Sequence, residues 1–314
     1  MRAVRYGVTR DFVRGLDVVL ANGHKVTLGG KLAKNSSGYS LKDLMIGSEG
    51  TLGVVTKITV KLLPKLRYSY TVLVPFHSIN EAISAVPSII ASDLQPTAVE
   101  FMQKEVVALV KEYLGKSFPD TSAPAYLIVS IDATDEAEAE EGTRELAKLC
   151  VSLGAIDAFF ADTDERKESI WVPRGAFLEA IKSSAKDMDE CDVVVPIDKI
   201  PEFVAYVAQV SEEKNVRINY FGHAGDGNLH VYICYDEGDR AAWQNVCDEA
   251  MDLLYNKAKE LSGQVSGEHG IGHAKVKYLG EFLEGDQIEL MRGIKKVFDP
   301  KGIINPGKVV GMLD

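Results

Sequence analysis

From about residue 67 the chain alternates short apolar strands with amphipathic helices, and this alternation restricts its fold more than any other feature. YSYTVLV, TAVEF, YLIVSI, DAFF and CDVVVP read as strands, with helical stretches between them. The first such stretch, SINEAISAVPSIIAS, opens with Ser78 and Glu81, spaced as a capping box requires. RINYFGHAGDGNLHVYICYD reads as two strands around a tight turn. AAWQNVCDEAMDLLYNKAKEL then places Trp243, Val246, Cys247, Ala250, Leu253 and Leu254 on one helical stripe. A last helix is expected near 286 to 298. The pattern predicts an α+β architecture in which helices cover sheets on one face.

The first 66 residues read differently. LDVVLANGHKVTL predicts a hairpin, with Asn22-Gly23 supplying a two-residue type I′ turn. VVTKITVKLLP alternates, with Val54, Ile58, Val60 and Leu62 facing one way and Lys57, Thr59 and Lys61 the other. Pro64 marks a boundary. A length of 314 residues accommodates about two domains. A net charge of −11 argues against nucleic acid or an anionic membrane as partner, because phosphate binding needs a basic surface. No apolar run approaches the roughly 20 residues of a membrane span. The opening MRAVRYGVTRDFV lacks the apolar stretch of a signal peptide. Cys150, Cys191, Cys234 and Cys247 are scattered without a CxxC pair, which predicts reduced packing residues in a cytoplasmic protein.

FGHAGDGNLH, at 221 to 230, sets two histidines around three glycines. With Asp226-Gly227 as the turn, His223 would oppose His230, their Cβ atoms about 5 Å apart on one face. Two imidazoles at that spacing can share a cation. A zinc-type ion takes about three protein ligands and keeps one position open. SGEHGIG, at 266 to 272, offers Glu268 as the third ligand and His269 as a neighbour free to move a proton. Paired histidines can equally be satisfied by hydrogen bonds, so the residues alone leave metal binding and plain packing both open. His24, His77 and His273 read as ordinary residues. Gly115-Lys116-Ser117 resembles the end of a phosphate loop, but Val110 stands where glycine is required. GEHGIG has the wrong glycine order for a dinucleotide fingerprint, and no HExxH occurs.

Taken together, RYG at 5 to 7, GSEGTLGVVT, FGHAGDGNLH, SGEHGIG and FDPKGIINPGK closely resemble the FAD-linked 2-hydroxy-acid dehydrogenases. These are the D-lactate dehydrogenase and glycolate oxidase catalytic-subunit proteins of the vanillyl-alcohol oxidase flavoprotein superfamily. The resemblance spans essentially the whole chain. It implies part of an FAD domain over 1–66, a ferredoxin-like α+β substrate (cap) domain over 67–284, and a C-terminal segment over 285–314 returning to the flavin. It implies two cofactors, FAD and a divalent metal (zinc, manganese or iron). Tyr6, Gly7, Ser48, Glu49, Gly50, Thr51, Gly53, Val55 and Asn305 would bind FAD. The metal ligands would be His223, His230 and Glu268. His269 would accept the substrate proton, and Arg174 in WVPRGAF would grip the substrate carboxylate, a task that suits a guanidinium. LEAIKSSAKDMDECD shows no convincing match to the family's further carboxylate-binding positions, which leaves substrate identity open.

The implied activity is oxidation of a D-2-hydroxy acid to its 2-oxo acid, with electrons leaving the flavin for an external acceptor. An electron-transferring flavoprotein or an iron–sulfur subunit would be a fitting partner. Family members carry a long N-terminal half of the flavin domain, and Met1 falls inside that domain. This predicts weak FAD binding by the chain alone, with a separate N-terminal flavin-domain chain or upstream sequence as its complement. Two other readings stay open: a metal-dependent hydrolase built on the same centre, and a non-catalytic assembly partner.

Overall fold

The computed structural model describes residues 2–116 and 118–312. Ser117, the end of the rejected phosphate-loop match, lies outside the described residues. The chain divides into two compact units. The smaller comprises residues 7–64 and 269–314, the larger 1–6 and 65–268. The chain passes between the units at Tyr6–Gly7, Pro64–Lys65 and Glu268–His269, where the sequence suggests limits at 66 and 284. Residues 269–284 go with the tail because the backbone there is tied to it: Val309 N donates to Gly272 O at 2.8 Å.

The smaller unit holds strands β1 (Val13–Val19), β2 (Lys25–Gly29) and β3 (Val54–Val60), in the antiparallel order β2-β1-β3. Its core gathers Val13, Leu16, Val18, Met45 and Leu52, flanked by Ile294 and Phe298 of the helix Gly285–Phe298. The β1–β2 hairpin forms, but not on a I′ turn. Leu20 N bonds His24 O, and Gly23 N bonds Leu20 O, leaving three residues in the loop. Gly23 takes φ +82° and Asn22 does not turn left-handed, so the loop is of the three-residue kind that ends on a left-handed glycine. On β3 the expected alternation does not produce a buried face. Val54, Ile58 and Val60 are 56%, 56% and 50% exposed. Alternation marks a face able to be buried, and none of the described residues of the smaller unit covers this one.

The larger unit is built on β4 (Tyr68–Phe76), β5 (Ala98–Gln103), β6 (Ala125–Ala133), β7 (Phe159–Ala161), β8 (Asp187–Val194), β9 (Ile218–His223) and β10 (Asn228–Tyr235). They form one sheet ordered β7-β4-β6-β5-β9-β10-β8, every neighbouring pair antiparallel. Helices cover both of its faces, not one as the sequence suggested. On one face Leu73, Met102, Ile128, Phe221 and Tyr232 pack under the helices Lys104–Leu114, Asp164–Gly175 and Phe177–Ser184. The opposite side chains, among them Val72, Val74, Val99, Phe101 and Val129, are also buried. The helices Ile79–Ile90, Glu136–Ser152, Ile200–Lys214 and Arg240–Glu260 pack there. Strands buried on both faces read as continuous apolar runs, which hides which side a helix takes. Ser78 caps the first of these helices, its hydroxyl accepting from Glu81 N at 3.2 Å.

Candidate active site

The face of the sheet that carries Phe221 and Tyr232 becomes polar towards one end. There Glu100 of β5, His223 of β9, His230 of β10 and Asp192 of β8 stand on neighbouring strands. The β9–β10 connection differs from the expected two-residue turn. His223 opposes Asn228, and His230 opposes Phe221. Asp226 N and Gly227 N both donate to His223 O at 3.1 Å, so a helical type of turn over residues 224–227 displaces the register. Gly227 alone of these turns left-handed, at φ +85°, and a Cβ on it would lie 2.1 Å from Val195 O.

The register shift makes the histidines diagonal neighbours but keeps them on one face, because Asn228 and His230 are two residues apart. Their rings lie 5.3 Å apart and nearly perpendicular. Both Nε2 atoms converge on Oε1 of Glu268, at 3.4 Å for His223 and 3.1 Å for His230. One ligand atom from each of the three residues lies within 4.8 Å of the other two. Two imidazole nitrogens and one carboxylate oxygen form a donor set suited to zinc, iron or manganese. The imidazoles are almost fully buried, at 11% and 5% side-chain exposure, whereas Glu268 is at 49%. A cation held here would therefore be fixed from the sheet side and reachable from the Glu268 side.

Each ligand has its own support. Glu100 places Oε1 and Oε2 at 2.9 and 2.8 Å from Nδ1 of His223. Burial opposes the charged form of that imidazole, yet the hydrogen bond and negative charge of Glu100 outweigh it and raise its pKa. Burial would likewise raise the Glu100 carboxyl. The bond to His223 and the charge of Arg174 reverse this, and its pKa is lowered. Nδ1 of His230 lies 3.3 Å from Oε1 of Glu190. Asp192, fully buried, accepts from Asn228 Nδ2 at 2.7 Å, Ser266 Oγ at 2.7 Å and Glu268 N at 3.2 Å. It thereby pins the loop that presents Glu268. Gly267 permits this approach, since a Cβ there would meet Asn228 Nδ2 at 2.1 Å.

Arg174 stands in other company than expected for a substrate grip. It is buried, and its Nε and Nη2 donate to Oε2 of Glu100 at 3.1 and 2.7 Å. Its guanidinium lies 4.6 Å from the ring centre of Phe221 and 5.2 Å from that of Phe177. His269, next in the chain after Glu268, is exposed and begins the second stretch of the smaller unit.

In the smaller unit the structure brings part of the expected flavin set together. Asn305, itself left-handed at φ +45°, donates from Nδ2 to Gly50 O at 2.9 Å. Thr51 Oγ1 bonds Ser48 O at 2.7 Å. Glu49 and Gly50 take φ +52° and +69°, which folds the loop tightly and keeps one position free of a side chain. Glu49 itself is committed: its carboxylate accepts from Ile271 N at 2.8 Å and Gly272 N at 2.7 Å. At Gly53 a Cβ would sit 2.6 Å from Val18 Cγ1, so that glycine serves close packing of the loop on β1. Val55 is an exposed residue of β3. Gly7, at φ +81°, starts a turn closed by Val8 N on Asp11 Oδ2 at 2.8 Å. Tyr6 belongs to the larger unit and donates its hydroxyl to Asp132 Oδ2 at 3.1 Å.

Residues 65–309 match the family of FAD linked oxidases, in its C-terminal domain. The chain belongs to the FAD-linked oxidases. It is 45% identical to a D-lactate dehydrogenase of Anaerostipes hadrus, over 98% of this chain and 66% of the relative. Identity is 39% to a D-lactate dehydrogenase of Archaeoglobus fulgidus, over 100% of this chain and 68% of that one. It is 37% to the glycolate oxidase subunit GlcD of Bacillus subtilis, over 98% and 65%. The chain thus spans about two thirds of the length of these relatives. Among solved structures, p-cresol methylhydroxylase with substrate bound superposes with a TM-score of 0.72 at 14% identity, covering 99% of this chain and 68% of that one. A 4-ethylphenol oxidase from Gulosibacter chungangensis, complexed with isoeugenol, gives 0.70 at 15%, covering 96% and 66%. Both share the fold of vanillyl-alcohol-oxidase-type enzymes, as the sequence motifs implied.

Within this family frame, Glu100 and Asp192 are the site residues that the sequence reading missed. Each is a lone acid inside an apolar strand, in TAVEF and CDVVVP. A carboxylate is almost never fully buried without a partner. That rule was the available signal: each acid had to face a cation, a histidine or a row of amides.

Proposed function

We propose that this chain is the substrate-binding, C-terminal part of an FAD-dependent enzyme that oxidises a D-2-hydroxy acid, of lactate or glycolate type, to the 2-oxo acid. The observation that carries the reading is the convergence of His223, His230 and Glu268 on one point at the polar end of the sheet. The names of the relatives supply the substrate class: D-lactate dehydrogenase and glycolate oxidase.

A divalent cation, when bound, supplies positive charge that lowers the pKa of a coordinated hydroxyl, and FAD supplies the two-electron acceptor. The chain's own groups do the rest. His223, His230 and Glu268 hold the cation where the 2-hydroxyl and carboxylate of the substrate can both reach it. His269, next in the chain after Glu268, takes the hydroxyl proton as general base. The loop Ser48–Gly53 and Asn305 would hold the flavin, with Gly50 leaving the backbone accessible to it. FAD, when bound, would pass the electrons on to an external acceptor.

The test is anaerobic mixing of the FAD- and cation-loaded enzyme with D-lactate or glycolate. Loss of the oxidised-flavin absorbance, abolished by chelation and restored by the cation, supports the reading. Unchanged flavin reduction after chelation would remove the metal from the mechanism. Cation-dependent ester hydrolysis without any flavin reduction would instead favour a hydrolase.

A second reading concerns the chain by itself, and the exposed apolar face of β3 favours it. A strand edge and face of this kind invite pairing with another chain. The chain would then act as an assembly partner, completed by a flavin-domain polypeptide. Co-purification of such a polypeptide, with stoichiometric FAD in the complex and little in the free chain, tests this.

A further inference from the structure

The strand β5 contributes one charged side chain to the buried face of the sheet, and its contacts are not those of a residue that merely packs. Glu100 is 1% exposed. Both of its oxygens lie within hydrogen-bond distance of Nδ1 of His223, and Oε2 also accepts from Nε and Nη2 of Arg174. A guanidinium has no acceptor and carries its charge at any accessible pH, so the carboxylate beside it is its counter-ion. An anionic carboxylate can only accept, which obliges Nδ1 of His223 to carry the proton. The lone pair of the neutral ring then resides on Nε2, the nitrogen aimed at Glu268.

We propose that Glu100 is a positioning residue that fixes the tautomer and orientation of His223 as an Nε2 ligand, and that Arg174 holds Glu100 in place as its counter-ion. The proposal rests on the reading that His223, His230 and Glu268 hold a cation. Carboxylate support of a ligating histidine is a general device, and its removal typically costs 10- to 100-fold in metal affinity. The geometry also explains why the guanidinium sits between the Phe177 and Phe221 rings. Aromatic faces on a cation stabilise it where water is excluded, and leave its N–H edge for Glu100. The Phe221 ring in turn lies 5.2 Å from that of His230, so one aromatic wall steadies both supports.

Two measurements test it, neither of which needs turnover. Long-range proton–nitrogen NMR of the His223 ring in the cation-free protein, at a pH high enough to keep the ring neutral, should show Nδ1 protonated and Nε2 bare. In Glu100→Gln, which can offer an amide donor in place of an acceptor, the ring should become a mixture of tautomers. Titration with zinc or manganese should give a Kd about 10- to 100-fold weaker in Glu100→Gln and Arg174→Met than in the wild type. Because either single change could unfold the chain by leaving a buried charge alone, the double variant Glu100→Met/Arg174→Met is the control. Replacing a whole buried ion pair by apolar groups is often neutral for stability. That variant should fold and still bind the cation weakly. Wild-type affinity in a folded double variant, or an unchanged His223 tautomer, would overturn the proposal. Failure of the wild type to bind any divalent cation would instead overturn the metal reading beneath it, so the two failures are distinguishable.

Discussion

The two units solve the same problem in opposite ways. In the larger, both faces of the sheet are covered, and strands such as Ala125–Ala133 are buried at every residue. In the smaller, β3 is mostly exposed and the core is a modest cluster around Leu16 and Val18. Polar groups follow the same division. The larger unit buries Glu100, Arg174, Asp192 and His230 in a packed apolar frame, each with assigned partners. The smaller unit relies on one buried ammonium group: Lys295 donates to Thr51 O at 2.8 Å and Ile304 O at 2.7 Å and pairs with the carboxylate of Asp299. A dense frame holds ligand atoms in place to a fraction of an ångström, which a metal centre needs. A lightly packed unit with an open apolar strand suits a surface that is completed by another polypeptide.

The contrast can be broken most severely at Lys295. Lys295→Met would strand the fully buried Asp299 carboxylate and unpair two backbone carbonyls, a loss of about 3–5 kcal/mol. Hydrogen exchange should then show amides of β1 and β2 opening while those of β5 and β6 stay protected. Equal loss in both units would show that their stabilities are not separate. Gly227→Ala attacks the other side. It adds left-handed strain and places a methyl against Val195 O, together about 2–4 kcal/mol, and it should weaken zinc binding in proportion. Thermal unfolding and a zinc titration check it.

Acid should separate the units more gently. Burial opposes the ionised form of Asp299, but Lys295 and the amides of Ile303 and Ile304 outweigh it and hold its pKa below the ordinary carboxylate value. A carboxylate with a lowered folded pKa contributes stability in full above its unfolded value, near 4, and loses it as pH falls through the folded one. The β1–β2 amides should therefore lose protection below about pH 4, and Asp299→Asn should flatten that dependence. The smallest effect is expected on β3. Val54→Thr with Ile58→Thr should change stability by less than about 0.5 kcal/mol. It should nonetheless reduce self-association or capture of a flavin-domain chain, measured by gel filtration.

Legibility in the sequence follows the same contrast. Strands and helices of the larger unit could be read because apolar runs and 3.6-residue stripes are imposed by its core, as in the helix Arg240–Glu260. The grouping of His223, His230 and Glu268 was legible because two histidines and a glutamate in glycine-rich loops stand out in the sequence. Their register was not, since a two-residue turn and the observed four-residue connection share the same Asp226-Gly227. The pairing of Arg174 with Glu100 was not legible, because the two lie 74 residues apart in sequence and meet only in space. The exposure of β3 could not be read at all: alternation records that a face is apolar, not what lies on it.

The central claim is that His223, His230 and Glu268 form a cation site seated in the rigid unit. Calorimetric titration of the purified chain with zinc or manganese tests it most directly, comparing wild type with His230→Ala and Glu268→Gln. The account predicts one cation per chain in the wild type and a Kd at least about 10-fold weaker in each variant. Equal binding in all three proteins would contradict it.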